Sequence, residues 1–225
     1  MRGRPPSIRE EDLLDAARDV FREDGHAATT AKIARRAGVS EGILFYRYKS
    51  KEALLAAVIH RETQPPEALA VIAKNAGQRS VGENLERLIE AVLDSCFRVH
   101  PFLELAETSP MSGAIRQLLF AEPETLPPQL IVEKINACFA AEMRLGRVRR
   151  FDTWPLARAI FGGCVDFVRS RQMPNVTDSR ESFVRGFVDA LMHGIANPPN
   201  RDDDHETQTS ARNRTRRAPH RGKPR

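Results

Sequence analysis

Apolar residues recur three and four positions apart through most of the chain up to residue 197, and no stretch alternates apolar with polar over a strand's length. Leu13, Ala16, Ala17, Val20 and Phe21 predict a first helix, opened by Ser7 and Glu10 as a capping box and closed at Gly25. Residues 31–37 predict two turns of helix capped by Thr29 or Thr30. Ile33, Ala34 and Ala37 fall on one face of it, and Lys32, Arg35 and Arg36 on the other. Gly38 suits the left-handed residue that stops a helix, and Ser40 is the cap for another over 41–48. Leu54, Leu55, Val58 and Ile59 mark a fourth helix over 51–62, capped near Ser50, and Pro65-Pro66 closes it.

Beyond that boundary the periodicity predicts five or six more helices. They fall over 66–76, 81–99 (stopping before Pro101), 101–121 (broken near Ser109-Pro110 and Gly113) and 128–145, the last following a loop made by Pro123, Pro127 and Pro128. Asp152 or Thr153 caps the next, with Pro155 in its first turn. Asp178 or Ser179 opens the last, which runs to about 196 before Pro198-Pro199. There is no internal repeat.

A helix, a glycine turn and a capped second helix within about twenty residues form a helix-turn-helix, whose second helix enters the DNA major groove. Ala34 is small where the two helices cross, and Leu44 seals the angle. The bare pattern also fits an αα-corner that binds nothing. The outer face argues for DNA: Thr30, Ser40, Tyr46, Arg47, Lys49 and Lys51 gather where hydroxyls, cations and open N–H groups grip phosphates.

These residues carry a resemblance. Gly25-x-Ala27-x-Thr29-Thr30, Ile33-Ala34-x2-Ala37-Gly38-Val39-Ser40 and Gly42-x-Leu44-x3-Tyr48-x2-Lys51-x2-Leu54 resemble the TetR family of bacterial transcriptional regulators over roughly residues 8–60. The resemblance implies an all-α protein. A three-helix helix-turn-helix DNA-binding domain would span 8–62, and a larger helical ligand-binding and dimerisation domain 63–197. It also implies that Thr30 contacts phosphate, that Glu41, Gly42 and Ile43 meet base edges, and that Tyr46, Arg47 and Lys51 clamp phosphates, with Lys32 and Ser40 on the same face. Three departures stand out. Phe45 replaces the usual tyrosine and offers an apolar contact to a thymine methyl. Arg47 replaces histidine with a permanent charge. Tyr48 stands where phenylalanine is common and is expected to be buried. Glu41 is unusual against DNA: it either accepts from a cytosine amino group or is an acid favoured by the helix dipole.

Further implications concern partners. A dimer would read two half-sites about one helical turn (~34 Å) apart, making double-stranded palindromic operator DNA the partner. In the family the last two long helices pair between subunits. Here Gly162 and Gly163 would permit close approach, and Phe167, Phe183, Phe187 and Leu191 would supply apolar contact; packing within one subunit is the alternative. A small, largely apolar effector would occupy a pocket among Phe97, His100, Phe102, Met111, Phe139, Met143, Trp154 and Phe161, with Glu104 and Glu107 as polar anchors; core packing explains each aromatic singly. The resulting expectation is a homodimeric repressor released by its ligand, the fourth helix acting as lever.

Charge placement agrees. Residues 1–62 carry a net +2, residues 63–197 a net −1 and residues 198–225 a net +4. The basic excess thus lies at the DNA-binding end and the tail, and the near-neutral middle suits a pocket or interface. Arg2 and Arg4, in a basic arm over 1–7, are placed to enter a minor groove or stay solvated; the 198–225 tail is too polar to fold alone. No run approaches the ~18 apolar residues of a membrane span, and MRGRPPS has no apolar core behind it, so a cytoplasmic protein is expected. Cys96, Cys138 and Cys164 are scattered and fit neither a disulfide framework nor a zinc site. No nucleophile elbow, phosphate loop or metal motif is present, so no enzyme, cofactor, metal or catalytic residue is expected. Two other readings remain open at this point: a weakly specific architectural DNA binder using both basic ends, and a helical small-molecule-binding protein with no DNA role.

Overall fold

The computed structural model describes residues 9–121, 127–175 and 177–193. The basic arm, Ser7, Pro123 and the 198–225 tail lie outside them. The described residues are all-α, with no strand among them. The order is α1 (Glu10–Asp24), a 3-10 turn at Gly25–Ala27, α2 (Thr30–Arg36), α3 (Glu41–Tyr48), α4 (Lys51–Glu62), α5 (Glu67–Lys74), α6 (Val81–Glu107), α7 (Ser112–Leu119), α8 (Pro127–Arg144), α9 (Thr153–Ser170) and α10 (Arg180–His193). The chain up to Val188 packs as one compact unit, and a second unit begins at Asp189.

The first helix corrects its expected cap. It opens at Glu10 with Arg9 as N-cap, not at Ser7, and makes no side-chain cap bond. The Glu10 carboxylate accepts the Tyr48 hydroxyl at 3.1 Å. Glu10, Glu11 and Asp12 still place negative charge on the first turn, where the helix dipole favours it.

The head of the molecule is a single core. Leu13, Val20, Phe21, Ile33, Ala34, Leu44, Leu54 and Val58 of α1–α4 are buried together with Val99, Phe102, Leu105, Ala106 and Ile115 from α6 and α7. The helix-turn-helix therefore rests on the end of α6.

That contact explains the largest departure from expectation. Pro101 does not end a helix: α6 runs through it for 27 residues. It starts on the capping box of Ser80 and Glu83, in which each side chain bonds the other's backbone N–H. Pro101 removes one helical hydrogen bond, at a cost of about 3 kcal/mol in a helix interior. Val99, Phe102, Leu105 and Ala106 flank it and are buried. Burial of a large apolar side chain contributes about 1.5–3 kcal/mol each, so packing offsets the break. The true interruption is at Ser109-Pro110, between α6 and α7. Pro127 and Pro128 open α8 instead of forming a loop, in line with the tolerance of a first turn for proline.

One glycine is required by backbone geometry alone. Gly25 sits at φ 55°, ψ −126°, a region closed to residues with a Cβ, and a Cβ placed there would meet nothing within 4 Å. Gly25→Ala should therefore cost about 1–3 kcal/mol through backbone strain, without a clash. A fall of several degrees in Tm, with the helical circular dichroism spectrum unchanged, is the expected outcome.

Candidate nucleic-acid interface and internal cavity

The interface is built by capping. Thr29 Oγ1 accepts from Lys32 N at 3.2 Å and starts α2. At its end Gly38 turns left-handed (φ 69°), Val39 N bonds Ala34 O at 3.0 Å and Gly38 N bonds Arg35 O at 3.2 Å. This is the paired-bond Schellman stop, with Val39 packed on the core. Ser40 Oγ accepts from Ile43 N at 3.4 Å and starts α3 at once. Ser50 Oγ accepts from Ala53 N at 3.1 Å and starts α4. Ile33, Ala34 and Leu44 are buried at the crossing.

What α3 leaves outside is chemically distinctive. Phe45 is 42% exposed and Tyr46 79% exposed, two aromatic rings that folding does not use. Arg47 is exposed between Tyr46 and Tyr48, and Ser40, Glu41 and Gly42 are exposed at the helix start, with Ile43 half-buried behind them. Lys49 leaves the helix at φ 63°, its Nζ 2.7 Å from Tyr46 O and 5.0 Å above the Tyr46 ring. Lys51 Nζ lies 2.8 Å from His26 O, which ties the start of α4 to the turn after α1.

Two expected DNA contacts are otherwise engaged. Lys32 turns toward α1, with Nζ 2.7 Å from both Asp24 carboxylate oxygens and 3.5 Å from Glu23. Its ammonium is matched by acids within the fold and fastens α2 to α1. Arg36 pairs with Glu23 on the same side and holds that carboxyl below its usual range, chiefly through the hydrogen bond. Thr30 donates its hydroxyl to Glu41, bridging α2 to the first residue of α3. Neither the Asp24–Lys32 pair nor the Thr30–Glu41 bond has a periodic signal in the sequence.

A cavity of about 110 Å³ lies between α6, α8 and α9. Cys96, Val99, Leu103, Ile131, Phe161, Val165 and Val168 give it an apolar wall. Ser95, His100 and Thr63 add polar atoms, with Glu104, Glu107 and Arg169 at exposed positions. Gln172 Nε2 spans His100 Nε2 (3.0 Å) and Glu104 Oε2 (2.9 Å). Of the expected pocket residues His100 and Phe161 are here, as are both glutamates. The others are not. Phe102 is in the head core, beneath the Arg22 guanidinium. Phe97 stands edge-on to Phe167, on another side of α6. Phe139 packs with Ile72, Leu85 and Leu88, and Met143 follows it one turn later on α8. Met111 lines a separate crevice with His26 and Lys51, and Trp154 is 37% exposed at the start of α9. For Phe97 and Phe102 the reason is register. With α6 continuous through Pro101, residues 96, 99, 100, 103 and 107 share one face and 97 and 102 leave it.

Beside the cavity, Glu62 at the end of α4 is 6% exposed and doubly paired, with Arg98 Nε of α6 at 3.2 Å and Arg61 Nη2 at 3.1 Å. Arg98 Nη2 also reaches Ser95 Oγ (3.4 Å), a cavity residue, and Arg61 reaches Asp15 of α1 at 3.2 Å.

With this geometry in place, the comparisons with known proteins are specific. Residues 13–58 match the model for bacterial regulatory proteins of the tetR family. Its N-terminal domain is that of the TetR family. The HTH-type transcriptional regulator BetI of Klebsiella pneumoniae is 51% identical over 53 residues, covering 23% of this chain and 27% of that protein. A BetI from Escherichia coli is 37% identical over 90 residues, 39% of this chain and 46% of that one. The chain thus matches about a quarter to a half of these relatives' length. A putative TetR-family regulator from Mesorhizobium loti superposes with a TM-score of 0.63 at 17% identity, over 81% of this chain and 94% of that one. FadR from Bacillus subtilis, solved with stearoyl-CoA, gives 0.58 at 19% identity, over 84% and 100%. At such identity these two establish a shared fold: an N-terminal helix-turn-helix followed by a helical domain.

The aromatic residues expected at a subunit interface also meet one another within the chain. Phe167 is buried and stacks on Phe183 with centroids 4.5 Å apart, and Phe183 meets Phe187 edge-on at 5.6 Å. A Cβ on Gly163 would come 3.1 Å from Phe187 Cε1, so this glycine makes room for an internal ring. Gly162 and Gly186, by contrast, face open space. Leu191 is half-buried in the second unit. All three cysteines are buried; burial pushes the Cys96 thiol up to about 11 and Cys138 to about 12, and raises Cys164 as well. Thiolate chemistry is suppressed at each. Among the described residues no group of three metal-ligating side chains occurs, and no helix is long and apolar enough to cross a membrane.

Tyr48 supplies a direct check on the contact between α1 and the recognition helix. Burial first, and then the Glu10 hydrogen bond, push its hydroxyl from the usual 10 to about 12. The raised value means the fold favours the protonated phenol: that stabilisation is complete below pH 10 and disappears as pH rises through 12. In a Tyr46→Phe variant, which leaves Tyr48 as the sole tyrosine, ultraviolet titration should show ionisation near pH 12, falling toward 10 when Glu10→Gln is added.

Proposed function

We propose that the protein is a homodimeric transcriptional regulator, a repressor that binds a palindromic operator and is released by a small, largely apolar effector. One observation carries the DNA half of this reading. Residues 40–49 present two exposed aromatic rings, Arg47 and Lys49 on an eight-residue helix whose buried face is spent on locking it in place. Burial in the core does not account for the two exposed rings, and a major groove lined by phosphates can use aromatic, hydroxyl and cationic groups alike.

The effector half rests on the apolar cavity and its neighbours. A cavity of about 110 Å³ is smaller than the ~150 Å³ that accommodates benzene. An effector on that scale is a compact group, and a long acyl thioester such as FadR's stearoyl-CoA does not fit without the site opening. Transmission runs through α4. Thr63 and Ser95 touch the cavity, Glu62–Arg98 joins α4 to α6, and Arg61–Asp15 joins α4 to α1, which in turn holds Tyr48. An effector that alters the α6 face biases the position of α4, and with it the separation of the two recognition helices. Dimerisation is assigned to the open outer face of α9 and α10 around Gly162 and Gly186, where the bare glycine surface would let a partner backbone approach.

A footprint on the DNA flanking the gene tests the reading. The expected outcome is a discrete protected palindrome. Arg47→Ala and Lys51→Ala should each weaken binding to all sequences and reduce the salt slope by about one. Diffuse protection abolished by moderate salt would instead support the weakly specific architectural binder, and no effect of either substitution would remove these residues from the interface.

Coupling is testable without knowing the effector. Val165→Phe projects a ring into the cavity as a permanent occupant and should lower operator affinity several-fold. In a Glu62→Gln background, which breaks the link between α4 and α6, the same substitution should lose most of its effect. An undiminished effect would place transmission elsewhere.

A further inference from the structure

Glu41 is the acid that opens α3, exposed at the start of the second helix of the motif, and two features set its surroundings apart. The first is its hydrogen bond from Thr30. That bond engages one carboxylate oxygen, fixes the side chain's direction, and occupies the hydroxyl expected to contact phosphate. The second is Gly42. It lies within α3 at an ordinary helical φ, and the nearest atom to a Cβ there would be Ser40 Oγ at 3.8 Å, ordinary contact distance. Packing therefore does not require glycine, which weakens a helix relative to alanine. What glycine does provide is bare surface beside Glu41, where another molecule can approach the backbone. Phe45, four residues on and 42% exposed, continues the same face.

A carboxylate at a DNA surface is repelled by phosphate at every sequence. The repulsion is offset only where a base edge supplies a donor. In the major groove cytosine presents its N4 amino group as a donor to Glu, whereas adenine sets its N6 amino group beside the N7 acceptor. We propose that Glu41 selects a cytosine in each half-site, and that Thr30 is its positioning residue, serving Glu41 and not a phosphate. Phe45 on the same stripe takes a thymine methyl close to that cytosine. Glu41 thus lowers affinity for DNA in general and restores it at one base pair, which is specificity by exclusion. The inference rests on the proposed sequence-specific DNA binding.

The test is selection of preferred sites from random duplex DNA by the full chain and by four variants. The wild-type protein should fix a C·G pair at one position of each half-site. Glu41→Gln should move that position to A·T, which glutamine reads through N6 and N7, with discrimination of about tenfold, and should raise affinity for non-specific DNA several-fold. Glu41→Ala should leave the position unselected. Thr30→Val should relax the cytosine preference while the rest of the site is kept, and Thr30→Ser, which retains the hydroxyl, should restore it. A selected motif that is the same for wild type and Glu41→Gln would overturn the assignment and leave Glu41 as a clasp between α2 and α3. Failure of the wild-type protein to select any motif would overturn the sequence-specific reading together with it.

Discussion

The structure depends on one helix staying intact across a proline. α6 gives Phe102, Leu105 and Ala106 to the head core and Cys96, Val99, His100 and Leu103 to the cavity wall. A break at Pro101 would leave these as two sets with no fixed relation. Continuity makes them faces of one rod, with the cavity face and the head contacts held about two turns of helix apart. The rod survives because apolar burial on both sides of Pro101 outweighs one missing hydrogen bond.

The second link is electrostatic and differs in kind. Apolar contacts between α4 and α6 allow sliding; an ion pair on the buried Glu62 carboxylate resists it, because moving Arg98 away removes one of the two cations that compensate a charge held away from water. Such a pair contributes little to net stability and much to geometry. Its location agrees with that role. It sits where α4 ends, beside Ser95 and Thr63 of the cavity, and Arg61 carries the connection to Asp15. The described part of the protein thus has a stiff element and a directional clamp joining the helix-turn-helix head to the cavity wall.

How much of this was legible in the sequence follows from the range of each signal. The helix-turn-helix was readable nearly to the residue, because Thr29, Gly38, Ser40 and Ser50 act on backbone groups within about five positions. The Ser80–Glu83 box has equally local spacing and was open to the same reading. The cavity was not legible. Its membership turns on the register of α6, and a proline that ordinarily ends a helix hid that register. Ring packing of Phe167, Phe183 and Phe187 within one subunit was likewise hidden, since composition gives a cluster and not the chain it belongs to. Lys32 read as a surface cation because its partner, Asp24, lies across a turn, eight residues away.

Lys49 shows where local rules yield to the outer surface. A positive φ at a residue with a Cβ costs about 1–2 kcal/mol, and glycine would make the same turn without it. Glycine would also remove the amine that bonds Tyr46 O and covers the Tyr46 ring. Those contacts hold the most exposed aromatic of α3 beside a positive charge at the helix end. Strain at Lys49 and bare backbone at Gly42 are two departures from what stability alone would choose. Both fall within the eight residues from Gly42 to Lys49, while the caps and apolar faces that hold them obey the ordinary rules. A stretch whose supports are optimised and whose outer surface is not is one shaped by what it binds.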